Sequence, residues 1–313
     1  MLYGKYIFLC RLKDDANLPP FKGSTVRGLF GRALKKVVCA LKQNECSACL
    51  LQKECLYSIV FETPSIAFPT LNGQKSSPPH PFVIEPPLMV DTTFKKGDLL
   101  HFQLLLFGEI NKKLPYFIYA FDQMGEIGIG QKINGIRSRF FLEKVTHNNL
   151  TVYSKTESTL HMPEAFINLE LKEAAEFQNN HSGIAIHLQT PLRLKFKNHL
   201  TADLPFHIFV RSMLRRISSL HECYGSGEPK VDYRALVKKA QDVESRNVSL
   251  TWLDWKRYSS RQGTAMQMGG IIGSVIYRGD LAEFMPFIDM CEILHVGKQT
   301  SFGLGQYQTE LLQ

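Results

Sequence analysis

The stretch whose residue types are best suited to chemistry lies near the end of the chain: Leu294-His295-Val296-Gly297-Lys298-Gln299-Thr300-Ser301-Phe302-Gly303-Leu304-Gly305-Gln306-Tyr307. Its three glycines allow backbone conformations closed to other residues and a close approach to a ligand. Successive amides in such a loop form a concavity for anions, and Lys298 adds a point charge suited to phosphate. Gln299, Thr300 and Ser301 supply hydrogen-bonding side chains, and His295 stands at the mouth. A polyanion is the expected guest, against the plainer reading of a glycine-rich turn between helix and strand.

A second constellation is Cys39-x6-Cys46-x2-Cys49-x5-Cys55, four of the seven cysteines. With no signal-peptide architecture in Met1–Asp15, such a cluster points to metal and not to disulfides. Zinc would take the four thiolates in a closed, structural site; an iron–sulfur cluster would accept the same set. Spacing does not separate them. The reading adopted is structural zinc, with an iron–sulfur cluster as the alternative.

The elements that must position these residues follow from periodicity. Leu281, Phe284, Met285, Ile288 and Cys291 have helical spacing ahead of the loop, with Asp280 and Glu283 placed as a capping box. Tyr307–Leu311 reads as a closing strand. The unit has an earlier echo. Leu114, Phe117, Ile118, Phe121 and Met124 are spaced as a helix, Gly128-Ile129-Gly130-Gln131 resembles Gly303-Leu304-Gly305-Gln306, and Ser138–Glu143 reads as a strand. This first copy carries Lys132, Arg137 and Arg139. Tyr3–Lys13 and Leu99–Phe107 are expected strands, and Ser58–Glu62 is read as another. A helix capped by Ser24 or Thr25 runs to about Leu41, burying Val26, Leu29, Phe30, Ala33 and Val37. It turns Arg27, Arg32, Lys35 and Lys36 elsewhere, in a stretch with no acidic residue between Asp15 and Glu45. Gly28 and Gly31 inside it imply close packing or close approach by a ligand. His80, among prolines, reads as a surface histidine.

The second half begins at Ile184–Phe196. A helix on Phe206, Phe209, Val210, Met213, Ile217 and Leu220 follows, then a short helix near Tyr233. A strand from Val248 leads into Trp255-Lys256-Arg257-Tyr258-Ser259-Ser260-Arg261-Gln262. Aromatics beside arginines suit nucleic acid, whose bases stack and whose phosphates take charge-assisted hydrogen bonds. Each half therefore reads strand, helix, strands, helix, glycine-rich loop, strand. That order implies an α+β chain of tandem ferredoxin-like, RNA-recognition-motif-like domains: residues 1–180 with a Cys-rich metal-binding insertion at 39–57, and residues 181–313 with the glycine-rich loop at 295–306. No aromatic motif of the standard RNA-recognition type marks a central strand, so RNA would be gripped by loops and helices. A chain of 313 residues with net charge +8 fits a polyanion partner, and no apolar run reaches the ~18 residues a membrane helix needs.

Beyond these patterns the sequence resembles the CRISPR-associated endoribonucleases that process precursor CRISPR RNA, within the RAMP superfamily. The resemblance rests on Pro20-Phe21-Lys22-Gly23-Ser24-Thr25-Val26-Arg27-Gly28-Leu29-Phe30-Gly31, on the four-cysteine segment ending Cys55-Leu56-Tyr57 with Phe61-Glu62 after it, on Pro81-Phe82-Val83-Ile84-Glu85-Pro86-Pro87, on Arg257–Gln262 and on the terminal loop. It implies cleavage within CRISPR repeat RNA, needing no cofactor, by a cytoplasmic prokaryotic protein with no membrane partner. Other CRISPR effector subunits are further partners. The ribose 2′-hydroxyl attacks the adjacent phosphorus, leaving a 2′,3′-cyclic phosphate and a 5′-hydroxyl; this calls for an acid, a base and a cation. Related enzymes often place a histidine in or just after the first helix, and here none precedes Pro79. The expected set is His295 as acid or base, Tyr258 as a second proton-transfer or positioning group, and Lys298 for the transition-state charge. His187, His199, His207 and His221 are rivals, as is an arginine site around Arg27 and Arg32 that aligns RNA without a base. The RNA-binding set is Arg27, Arg32, Lys35, Lys36, Lys132, Arg137, Arg139, Arg257, Arg261, Gln262, Gly297, Gln299, Thr300, Ser301, Gly303 and Gly305. The competing classes are a RAMP subunit that only holds CRISPR RNA and a metal-dependent enzyme unrelated to RNA.

Overall fold

The computed structural model describes residues 1–42, 45–64, 78–172, 182–196, 199–200, 202–259 and 264–312. They form two compact units, Met1–Leu169 with Glu222–Ser226, and Glu170–His221 with Gly227–Gln313. The boundary expected at 180/181 lies outside the described residues.

In the first unit, β1 (Leu2–Leu12) alternates in burial, sending Tyr6, Phe8, Cys10 and Leu12 inward as the two-residue strand period requires. It is followed by α1 (Gly23–Val38), β2 (Phe82–Glu85), β3 (Leu99–Phe107), α2 (Leu114–Ile127), β4 (Phe140–His147) and β5 (Leu150–Ser154). Strand pairing gives the order β5-β4-β1-β3-β2, all antiparallel, with Ile7 opposite Gln103 on one side and Thr146 on the other. Setting aside the β5 hairpin partner, this is the 4-1-3-2 order of the ferredoxin-like fold. The core joins sheet to helices through aromatic rings: Phe8 and Phe121 stack at 4.1 Å, and Phe30 lies 5.0 Å from Phe121.

The second unit repeats the plan with β6 (Gly183–Leu192), α3 (Phe206–Tyr224), α4 (Tyr233–Lys239), β7 (Glu244–Ser259), β8 (Thr264–Arg278), α5 (Met285–Leu294) and β9 (Tyr307–Leu312). The order β7-β8-β6-β9 is again 2-3-1-4 and antiparallel. Buried Tyr307 pins α5 to the sheet, its hydroxyl donating to the Ile288 carbonyl at 2.6 Å while its ring meets Phe209 edge-on at 5.2 Å.

The sequence echo between the halves is an echo in backbone. Gly128 and Gly130 have φ of +83° and +79°; Gly303 and Gly305 have +85° and +75°. Both pairs sit between the last helix of a unit and its last core strand, where the chain must turn back sharply.

Three local expectations need correction. Ser58–Glu62 is a π-helical turn and not a strand: the Thr63 amide reaches back to the Ser58 carbonyl at 2.8 Å, and Thr63 then takes a left-handed φ of +41°. Neither Ser24 nor Thr25 caps α1, which starts at Gly23 with Lys22 at the N-cap and no side-chain acceptor. Lys22 is wholly buried instead, its ammonium donating to the carbonyls of Met89 (2.7 Å) and Pro20 (3.3 Å). Asp280 does not open a capping box; a 3-10 turn at Ala282–Phe284 precedes α5, with Leu281 at its N-cap, and Pro286 lies in the first turn of α5.

Candidate nucleic-acid interface

The glycine-rich loop leaves α5 at His295, which takes φ +59°, and contains a 3-10 turn at Thr300–Phe302. Its amides are largely committed within the unit. Val296 donates to Gly305, Lys298 to Arg193, Phe302 to Gln299, Gly303 to Thr300 and Gly305 to Pro191, at 2.7–3.1 Å. Thr190 ties the far side, its hydroxyl donating to the Gly303 carbonyl at 2.8 Å and accepting from the Gln306 amide at 2.9 Å. Those five amides are therefore already engaged, and for them the expected anion-binding concavity is replaced by a rigid brace. A Cβ on Gly297 would stand 2.6 Å from the Arg193 carbonyl, and one on Gly305 would collide with that of Val296. The glycines are required by packing against residues 191–194 and by Val296.

What this rigid loop displays is charge. Lys298 is exposed, while Thr300, Ser301, Gly303 and Gly305 are buried and Gly297 and Gln299 half-buried. The Lys298 amine is held below the ordinary lysine value, first by partial shielding, then by three cations, Lys195, Arg215 and Arg193. Those residues come from the segment after β6 and from α3, and the sequence pattern assigned none of them to RNA. Their signal was weak because they lie tens of residues from Lys298. Arg193 is oriented by donation to the Gly269 carbonyl at 2.8 Å. Arg216, one residue beyond exposed Arg215, is buried and gives two bonds, 3.1 and 3.0 Å, to the Leu294 carbonyl. It thus satisfies the C-terminal end of α5 where the loop departs. Four like charges around one loop repel one another, and a bound phosphate chain relieves that repulsion.

His295 has no exposed surface, and one ring nitrogen lies 3.1 Å from the Leu304 carbonyl. In this arrangement the ring ties the two ends of the loop together; a substrate oxygen reaches it only if the loop opens. Arg257 and Tyr258 lie on β7 opposite Met266 and Ala265. Arg261 and Gln262 lie outside the described residues.

In the first unit, Lys132 is exposed on the hairpin after Gly128, Arg137 donates to the Gly130 carbonyl, and Arg139 pairs with Asp14 at 3.4 Å. On α1, Arg32 and Lys36 are exposed, and Lys36 reaches Gln123 at 3.4 Å. Lys35 lies over the Tyr57 ring at 5.5 Å. Gly31 packs against Phe61, 2.9 Å from the Cβ it lacks, whereas a Cβ on Gly28 would meet nothing within 4 Å. Arg27 stacks over Phe61 and Phe82 at 5.1 and 5.8 Å, and its guanidinium lies 3.1 Å from Nε2 of His80. Nδ1 of His80 lies 3.2 Å from the Val60 carbonyl. An arginine can only donate, so Nε2 accepts and Nδ1 carries the proton to Val60. His80 is therefore a half-buried, oriented ring fixed against the basic helix, and not the incidental surface residue its proline-rich neighbourhood implied.

The four cysteines 39, 46, 49 and 55 line one cavity with Glu45, Gln52, Tyr57 and Ser58. Burial raises the Cys46 thiol above its ordinary value; Lys35 opposes the shift, and Glu62, Cys55 and Cys39 add to it. Among the described residues no three His, Cys, Asp or Glu side chains already stand in metal-binding geometry, and no helix is long and apolar enough to cross a membrane.

Both units are thus ferredoxin-like, and the second carries a glycine loop flanked by cations. Comparison with known proteins gives the family. Residues 1–165 match the AF_1859_N family, described as an N-terminal domain, and residues 186–307 match the family described as CRISPR-associated endoribonuclease Cas6. The chain belongs to the AF_1859_N family, and its second unit is similar to the Cas6 endoribonucleases. An uncharacterized protein of Archaeoglobus fulgidus is 26% identical over 308 residues, covering 93% of this chain and 92% of its own. Among solved structures, a Cas6 product complex matches with TM-score 0.57 at 14% identity, over 99% of this chain and 100% of that one. Thermus thermophilus Cas6 matches with TM-score 0.53 at 13% identity, over 99% and 98%. A partial Cas6-RT-Cas1–Cas2 complex matches with TM-score 0.62 at 12% identity over 99% of this chain, which spans only 46% of that one. At these identities the structural matches speak to the fold alone.

Proposed function

We propose that this chain is an endoribonuclease that cuts precursor CRISPR RNA within its repeats, needs no divalent metal for the cut, and holds the processed RNA. The family match and the fold support a role in CRISPR RNA processing. The observation that carries the RNA-binding part is the gathering of Lys195, Arg193 and Arg215 around Lys298. Phosphates of the repeat lie against these cations, and Lys298, the exposed member on the rigid loop, faces the phosphate whose charge grows in the transition state. The 2′-oxygen attacks phosphorus in line with the departing 5′-oxygen, forming the cyclic phosphate, and the proton lost from one oxygen is matched by one gained at the other. His295 serves this site by locking the loop. Proton transfer falls to Tyr258 or, in an arginine-centred site of the first unit, to His80 once substrate displaces Arg27 from its Nε2. Other CRISPR subunits are proposed partners, a reading supported by the assembly in which one solved neighbour sits.

The test is cleavage of the cognate repeat RNA in EDTA by wild type, Lys298→Ala, Tyr258→Phe, His80→Ala and His295→Ala. A 2′,3′-cyclic end that is lost in Lys298→Ala and in one of the proton-transfer variants supports the proposal. A second reading, a RAMP subunit that binds CRISPR RNA without cutting it, is favoured by one observation: the loop's histidine is buried. Tight binding with no product under any condition selects that reading.

A further inference from the structure

We propose that Cys39, Cys46, Cys49 and Cys55 hold one zinc ion that braces the end of α1 against the π-helical turn Ser58–Glu62. The seven cysteines fall into different environments. Cys10 and Cys291 are fully buried and pack as small apolar side chains. The four of the cluster are only half-buried, and all four line the same cavity. Their backbone settings bring them to that cavity from both ends of the segment. Cys39 is the C-cap of α1, its amide on the Lys35 carbonyl at 3.0 Å. Cys46 and Cys49 close a tight turn, the Cys49 amide on the Cys46 carbonyl at 3.2 Å. Cys55 donates its amide to the Leu51 carbonyl and gives its own carbonyl to the Ile59 amide, both at 2.9 Å, so it leads directly into the π-helical turn. The described residues between α1 and Cys55 have almost no core of their own; Leu41 is 41% and Leu50 82% exposed. A segment this poor in apolar burial needs a staple, and soft thiolates converging from both of its ends supply a tetrahedral one.

The brace has a consequence for the basic helix. The π-helical turn carries the Val60 carbonyl that orients His80 and the Phe61 ring beneath Arg27 and against Gly31. Zinc at its entrance therefore sets the pose of Arg27 and His80 from a distance, without touching substrate. This inference does not depend on whether the chain cuts RNA.

The experiment measures metal in the untagged full-length protein by inductively coupled plasma mass spectrometry, with and without blocking of the thiols. One zinc per chain, released stoichiometrically as the thiols are modified and lost in both Cys46→Ser and Cys49→Ser, is the expected result. Because a serine variant could unfold, release from the wild type is followed by a colorimetric chelator while circular dichroism monitors the fold. A protein that carries no metal and whose four thiols react independently overturns the proposal. A visible charge-transfer band with iron and sulfide in the preparation overturns the assignment to zinc.

Discussion

The amide of Lys298 donates to the carbonyl of Arg193 at 2.8 Å. Two cations 105 positions apart thus share one backbone junction, and the glycine at 297 is what lets the two loop segments come that close.

Removing charge at this junction should weaken RNA binding with a defined salt signature. For single-stranded RNA, every phosphate that the protein ceases to neutralise lowers the slope of log affinity against log salt by ~0.7. Lys298→Ala, Lys195→Ala and Arg215→Ala should each flatten the slope by about that amount, measured by fluorescence anisotropy across a salt series. Unchanged slopes would remove these cations from the interface.

The glycines divide by position. Gly305→Ala combines a left-handed φ of +75° with a collision against the Val296 carbonyl. It should cost on the order of 1–3 kcal/mol in chemical denaturation. Gly28→Ala places a methyl in open space within α1 and should stabilise the protein by roughly 0.5–1 kcal/mol. Should Gly28→Ala be more stable yet bind RNA less well, that face of α1 lies against the ligand.

His295→Ala is a test of locking against catalysis. The ring is wholly buried and bonded to Leu304, so its loss should lower stability by ~1–3 kcal/mol. Cleavage per folded molecule should persist, as read in single-turnover assays below the unfolding transition.

His80→Ala addresses the alternative site. If this ring moves the proton, single-turnover cleavage should fall by ~10²-fold or more while affinity holds. Arg27→Lys should perturb the same step, because lysine cannot stack on Phe61 and reach His80 with the same planar group.

Stability should also depend on pH through His221. The residue is 7% exposed, its Nε2 is buried with no hydrogen-bond partner among the described residues, and burial holds its pKa below the ordinary 6.5. The folded state thus binds this proton less readily than the unfolded one, so stability is full above pH 6.5 and declines as the pH falls below it. His221→Phe should flatten that decline in urea melts collected at a series of pH values.

Much of the architecture was legible in local pattern. Alternation marked β1 and helical spacing marked α2, α3 and α5, because burying one face of an element imposes its period on the sequence. The repeated glycine pair was visible because glycine adopts at no steric cost the positive-φ turn that both units make. Ser58–Glu62 misled because its three-residue apolar run, Ile59-Val60-Phe61, is compatible with a strand and with a tight helical turn alike; in the turn Phe61 seats against Gly31 and Arg27.

By itself, then, the sequence determined the succession of elements, the cysteine spacing and the net positive charge, each a property of neighbours along the chain. The tertiary structure decided which charges meet. Lys298 finds Arg193, Lys195 and Arg215, and Arg27 finds His80, through contacts that span 53 to 105 positions. It also decided that His295 faces inward. Burial and long-range proximity depend on how strands and helices pack, and no local period encodes them.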